Sequence, residues 1–265
     1  MPVASSIPLD GDGFGDGDNP VNHAIYSTAS GSLSALDRLD AITHNLANAS
    51  TPGFKAQLVV QGAHPIQHAQ GKGPSVSTPI NRSRVETDFS QGSIVPDGDA
   101  FHLALSGEGF FVVDGPTGER LTRRGSFSLD EQGFLVTSDG MRVQGDGGNV
   151  ALGDAATDGT IEISPDGTIQ AGENRLGRVR VATVADPQSL VREGSAVFAP
   201  NGQTISDAAD GTFHVRQGAL ESSNATPITN LVALIETMRG FEAYMTATTR
   251  IDQVNERTIN DVART

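Results

Sequence analysis

Apolar residues recur at helical spacing at both ends of this 265-residue chain, while the long middle alternates at strand spacing between turns. Near the N-terminus Ile25, Ala29, Leu33, Leu36, Leu39, Ile42 and Leu46 follow in steps of three and four, drawing one stripe along a helix. Thr51, Pro52 and Gly53 end it, because proline cannot continue the backbone hydrogen bonding and glycine accepts the reversal. A second helix opens at Thr226-Pro227, an N-cap residue followed by proline at the first helical position. Its stripe runs through Ile228, Leu231, Ile235, Met238, Phe241, Met245, Thr248, Ile251, Val254, Ile259 and Val262. A helix of about 36 residues is a rod roughly 55 Å long, more than a domain of this size needs for its own core.

Between the helices the pattern changes period. The stretch FFVVDGPTGERLTRRGSFSLDEQGFLVTSDGMRVQG (110–145) sets apolar runs of strand length between Asp-Gly, Thr-Gly and Gln-Gly turns. A hairpin is expected at IEISPDGTIQ (161–170), turning on Pro165, Asp166 and Gly167, and RVRVATVAD and GTFHVRQGAL supply further strands. Aromatic content of 5 %, no tryptophan and 31 glycines suit such a turn-rich β domain. The organisation read from these shifts is an acidic Gly/Asp tail (1–20), an N-terminal helix (21–52), an extended connector (53–85), a β domain (86–222) and a C-terminal helix (223–265). The tail is too poor in apolar residues to order itself.

Several chemistries are excluded or find no support. A net charge of −14 opposes binding to nucleic acid or anionic lipid. Cysteine is absent, which removes disulfides, thiolate metal sites and cysteine nucleophiles. No run reaches the length of a membrane helix, and the N-terminus lacks the basic start and apolar stretch of a Sec-type signal. DGDGFGDGD (10–18) fails as a calcium loop, since Phe14 stands where a ligand belongs and no glutamate closes it. His64 and His68 have metal-pair spacing, but Pro65 lies between them. Ser106-Gly107-Glu108-Gly109 lacks the lysine of a phosphate loop. Asp130, Glu131 and Asp139 read as turn residues, and Ser222-Ser223-Asn224 has no base partner in sequence. Arg120, Arg123 and Arg124 are expected on a solvated strand face, the alternative being contact with an acidic neighbour. No catalytic residue, cofactor or metal is expected.

HAIYSTASGSLSALDRLDAITHNLANASTPGFKAQ (23–57), with its Asn45-Leu46-Ala47-Asn48 kernel followed by Thr51, Gly53 and Phe54, resembles the N-terminal signature of flagellar axial proteins, the rod and hook family. FSQGSIVPDGDAFHLALSGEGFFVV, Thr122-Arg123-Arg124-Gly125-Ser126-Phe127 and GFLVTSDGMRVQG resemble its middle, and GALESSNATPITNLVALIETMRGFEAYMTATTRIDQV its C-terminal helix. His23-Ala24-Ile25-Tyr26 is similar to the opening of the proximal rod branch. Met238-Arg239-Gly240-Phe241-Glu242 departs from the Gln-Arg-Ala-Tyr-Glu-like run of many relatives, and Gly240 costs about 1 kcal/mol against alanine. Residues 1–20 have no counterpart, and the initiator is expected at Val21.

The resemblance implies a mainly β central domain, irregular and hairpin-rich, flanked by long N- and C-terminal α-helices that pair as a coiled coil. It implies a structural, non-enzymatic subunit of the basal-body rod, exported through the flagellar type III apparatus without a cleaved signal and placed in the periplasmic rod. Its partners would be the axial subunits above and below, with no nucleic acid and no small-molecule substrate. The assembly interface is expected at Ile25, Leu36, Leu39, Ile42, Asn45, Leu46, Asn48, Phe54, Leu231, Ile235, Met238, Phe241, Met245, Ile251 and Val254. The alternatives are a distal rod or hook-like subunit, an ordinary antiparallel helix pair folded within one chain, and a glycan-binding β module on a helical stalk. The last is disfavoured because the two tyrosines, Tyr26 and Tyr244, fall in the helices.

One-sided burial does not repay the ordering of so long a helix. Amide exchange on the isolated protein is therefore expected to be fast across residues 228–262; strong protection there would overturn that expectation.

Overall fold

The computed structural model describes residues 20–65, 79–153 and 161–262. The tail from residue 1 to 19 and His68 lie outside the described residues, and the side chains of Ile25, His64, Ile259 and Val262 lie outside the described side chains. The described residues divide into two compact units, one drawing on residues 20–39, 59–65, 79–84 and 235–262 and the other on 40–58, 85–153 and 161–234.

The second unit is almost entirely antiparallel β structure. Its central strand, β5 (Phe110–Gly115), pairs with β6 (Gly118–Thr122), β9 (Arg142–Gly145) and β14 (Val181–Thr183) within a ten-stranded sheet. The unbroken apolar run at its start has a cause. Strand side chains alternate between faces, and both faces of this strand are covered. Phe111 and Val113 enter a large core with Leu103, Leu105, Ile169, Phe213 and Val215. Phe110 and Val112 enter a smaller one with Leu121, Leu190 and Phe198. Strand β18 (Phe213–Gln217), paired with β4 (Leu103–Gly107), is covered on one face only, so Phe213 and Val215 are buried while His214 and Arg216 are exposed.

A three-stranded meander follows the expected hairpin. Strand β11 (Ile161–Ile163) turns through Pro165, Asp166 and Gly167 into β12 (Thr168–Ala171), which pairs with β13 (Asn174–Arg178). Two short strands, β3 (Ile94–Pro96) and β19 (Ala219–Glu221), pair antiparallel, the second of them shortly before the C-terminal helix in sequence.

The first unit holds parts of two α-helices, α1 (Pro20–Ala47) and α2 (Pro227–Val262), and of the two-stranded sheet formed by β1 (Gln57–Pro65) and β2 (Pro79–Thr87). Here the expectation of long helices paired as a coiled coil is overturned. A coiled coil buries both apolar seams, yet Leu33, Leu36, Leu231, Ile235, Met238, Met245 and Val254 all stand exposed. Over residues 28–34 the inward face of α1 is its small one, with Thr28, Gly31 and Ser34 buried. At Gly31 the Tyr244 ring lies where a Cβ would sit only 2.6 Å from it, a close approach that glycine alone allows. Ser34 accepts a hydrogen bond from Gln61 at 2.7 Å, so this face is partly polar as well. The α2 stripe also drifts off a strict heptad, which from Ile228 and Leu231 would reach Glu242, Thr249 and Asp252. Gly240 meets nothing within 4 Å, so close packing inside the chain does not explain it.

Two turn carboxylates give the β unit an acid dependence. The Thr168 hydroxyl (2.8 Å) and backbone N–H (3.1 Å) hold Asp166 below its ordinary carboxyl value. The Phe134 N–H, first among several donors, does the same for Asp130. Groups whose folded pKa is depressed contribute stability above the unfolded value of 3.8 and lose it as pH falls through the folded value. Urea unfolding of the Asp166→Asn variant should therefore change less between neutral and acid pH than that of the unaltered chain.

Candidate assembly interface

The residues just after α1 and just before α2 meet in a buried polar cluster within the β unit. Lys55 and Glu221 are each 1 % exposed, and Lys55 Nζ donates to Glu221 Oε1 at 2.6 Å and to the Ser90 carbonyl at 2.7 Å. Glu221 Oε1 also accepts from the Gly92 N–H at 2.9 Å, and its Oε2 faces Arg123 Nη1 at 3.4 Å. Arg123 donates further to the carbonyls of Leu105 (3.3 Å) and Gly107 (2.6 Å). One carboxylate thus sits between two cations. Burial pulls both Lys55 and Arg123 below their usual pKa values, and the charge of Glu221 opposes the shift in each.

Asn224 closes the second half of the cluster. Its Oδ1 accepts from the Ala56 N–H at 2.7 Å, and its Nδ2 donates to the carbonyls of Asp88 (2.8 Å) and Ser90 (3.1 Å). The Gly53 N–H donates to the Glu221 carbonyl at 2.7 Å. Arg192 covers the cluster from the sheet side. Its guanidinium lies 5.0 Å from the Phe54 ring centroid and 4.9 Å from that of Phe198, and donates to the Lys55 carbonyl at 2.5 Å. Burial without a charged partner lowers the Arg192 pKa to about 10.

Gly53 is required twice over. Its φ of +67° is a left-handed conformation, and an added Cβ would lie 2.4 Å from the Arg123 carbonyl carbon and the Arg124 nitrogen.

Of the side chains expected at an assembly interface, the structure brings one group together and leaves the other on the surface. Asn45 is buried and pairs with the Gln57 backbone like a short strand, donating to its carbonyl at 2.8 Å and accepting from its N–H at 2.7 Å. Asn48 donates to the His44 carbonyl at 2.9 Å and accepts from the Thr51 hydroxyl at 3.3 Å, bracing the end of α1. Phe54 is fully buried, with His44 edge-on at 5.3 Å, and Ile42 is buried too. Leu39, Leu46, Phe241 and Ile251 are half-buried. Leu36, Leu231, Ile235, Met238, Met245 and Val254 are exposed.

The solvated face expected for the arginines is corrected. Arg120 is 7 % and Arg123 6 % exposed, and Arg120 pairs with Glu193 at 2.6 Å; only Arg124, 3.5 Å from Asp139, stays near the surface. Sequence reasoning also missed Lys55, Glu221, Asn224 and Arg192 as a group. The available signal was charge inside stretches of small and apolar residues, at Gly53-Phe54-Lys55-Ala56 and Ala219-Leu220-Glu221. Among the described residues, no group of three His, Cys, Asp or Glu residues is placed to hold a metal ion. No helix is long and apolar enough to cross a membrane.

Three family models match the chain in order: a flagella basal body rod protein model over residues 25–55, a flagellar hook protein FlgE/F/G D1 domain over 104–171, and a flagellar basal body rod FlgEFG protein C-terminal model over 216–261. The first contains Lys55, the second Arg123, and the third Glu221 and Asn224, so the buried cluster ties all three together. A flagellar basal-body rod protein FlgF of Caulobacter vibrioides is 32 % identical over 232 residues, which cover 84 % of this chain and 91 % of the relative. The chain belongs to the flagellar basal-body rod protein family. The FlgF of Salmonella typhimurium is 29 % identical, covering 91 % of this chain and 98 % of its own length. A FlgG of Bacillus subtilis is 28 % identical, covering 89 % and 98 %. As a rod-family member close to FlgF, the chain is a structural subunit of the flagellar basal body.

The rod signature glycine offers a direct test. Gly53→Ala should cost about 2–4 kcal/mol, combining strained backbone with a forced clash. Gly98→Ala is strained by a φ of +81° but meets nothing within 4 Å, so it should cost only about 1 kcal/mol. Urea midpoints of the two variants distinguish them.

Proposed function

We propose that this rod subunit polymerises through the exposed apolar faces of its terminal helices, catalysing no reaction and contributing stiffness to the shaft that drives motility. The observation that carries this reading is the α2 surface, where Ile228, Leu231, Val232, Ile235 and Met238 stand 47–76 % exposed over three successive turns. A contiguous apolar face of this kind on a charged, acidic chain is an interaction surface. On α2 the exposed Met245 and Val254 and the half-buried Phe241 and Ile251 continue this face, and on α1 the exposed Leu36 and half-buried Leu39 and Leu46 supply a second one. Two different apolar faces on one chain suit the head-to-tail contacts of an open helical assembly.

In this reading Asn45, Asn48 and Phe54 do not themselves touch a neighbour. They fix the end of α1 on the β unit. The partners are the axial subunits above and below and the flagellar type III export apparatus, which passes the chain without a cleaved signal to the periplasmic part of the rod. Nucleic acid and small-molecule substrates have no part in it. The β unit, stabilised by its own two cores, keeps its fold while the helices exchange solvent for neighbours.

The test is deletion of the gene and complementation with three forms: the full chain, a chain ending at Ser223, and the Leu231→Glu/Ile235→Glu variant. Swimming and basal bodies seen by electron microscopy should be restored by the first alone, while circular dichroism shows the double variant folded. Rods built by the chain ending at Ser223, or normal swimming without the gene, would defeat the proposal.

A further inference from the structure

Several polar contacts of residues 53–56 are made by residues that come at the far end of the β unit. The Gly53 N–H and the Ala56 N–H find their partners on Glu221 and Asn224, the Lys55 ammonium shares itself between Glu221 and the Ser90 carbonyl, and the Phe54 carbonyl accepts from the Asn224 N–H at 3.4 Å. Phe54 and Ala56 complete their apolar packing with Ala225 in a small core of their own. The main core is separate. Its last buried member in sequence is Val215, so it closes without residues 219–225.

We infer that residues 221–225 form a latch that closes on residues 53–56 after the main β core has formed. A chain delivered N-terminus first therefore keeps its N-terminal signature open until the start of α2 has arrived. Delivery in that order is a property of every synthesised chain. An early closure is disfavoured electrostatically, because Lys55 and Arg123 would be buried as two cations with no carboxylate between them. A late closure supplies that carboxylate, accepts the Gly53 and Ala56 N–H groups and seats Ala225 on Phe54 in one step. The chain thus acquires this fixed joint after α1 only when the residues that lead into α2 have arrived, which bars a chain that stops short of residue 221 from closing it.

Trypsin cleavage after Lys55 reads the latch, because the side chain is buried when it is closed. In the full-length protein, Glu221→Gln removes the charge and keeps the shape, and Asn224→Ala removes the amide without altering any charge. Cleavage at Lys55 should rise on the order of a hundredfold in the first and on the order of tenfold in the second. Amide protection at Phe111, Val113 and Val143, in the main core, should stay at the level of the unaltered chain. In arrested nascent chains, Lys55 should be cut when residue 218 is the last to clear the ribosome and spared when residue 225 has cleared it. Three results would each overturn the latch: unchanged cleavage in both variants, a rise matched in both by equal loss of core protection, or nascent chains of the two lengths cut alike.

Discussion

A single carboxylate, Glu221, is the constraint on which the base of the β unit depends. It is buried between Lys55 and Arg123 and also accepts a backbone N–H from Gly92. A buried ion pair is seldom worth more than well-packed apolar side chains of the same volume, because desolvation cancels most of the Coulomb gain. What it adds is selectivity. Displacing Glu221 leaves buried cations uncompensated, so a near-miss arrangement of the three segments is penalised far more steeply than an apolar mismatch would be. The cluster also carries an excess of positive charge, since Arg192 stacks between Phe54 and Phe198 with no carboxylate of its own among the described residues. That excess makes Glu221 the least replaceable member: losing Lys55 still leaves Glu221 facing Arg123, whereas losing Glu221 leaves cations alone.

Around this cluster the backbone has little room to move. Gly53 sits against the Arg123 backbone in a left-handed conformation, and an added Cβ at Gly92 would lie 1.9 Å from the Ser222 carbonyl oxygen. Glycine at both sites lets chain segments approach at distances no other residue permits, so the side-chain network and the backbone crossing specify the same geometry. Asn45 and Asn224 serve in kind, each using both ends of its amide on part-buried main-chain groups. Gly53, Asn45 and Asn224 therefore act as structural joints within the β unit.

The sequence disclosed the β character of the middle and the existence of both helices because those features rest on local period and turn chemistry. The run at residues 110–113 and the Pro165-Asp166-Gly167 turn are legible one segment at a time. What was not legible depended on pairing across the chain. Lys55 and Glu221 are 166 residues apart, and nothing near either announces a charge that will be buried. The arginines failed for the same reason: Arg120 and Arg123 read as exposed because their partners, Glu193 and Glu221, come from distant strands. The helix pairing failed differently. A stripe of leucines was weighted above the small face of α1, where Thr28, Gly31 and Ser34 in fact turn inward and Leu33 and Leu36 do not.

That last inversion bears on how such a chain divides its labour. Had the leucines of α1 been spent inside the chain, its folding would have used up the apolar area that a polymer needs. Burying small and polar residues instead gives weak but close contacts, enough to place a helix and too little to hold it unaided. Leu33 and Leu36 of α1 and Leu231, Ile235, Met238, Met245 and Val254 of α2 are left in solvent, on a chain whose net charge of −14 opposes indiscriminate association. The β unit meanwhile has two buried cores and a charged joint that do not draw on those faces. Folding and the proposed assembly thus rely on different side chains, and a subunit of this design can be complete and still unsatisfied until a neighbour arrives.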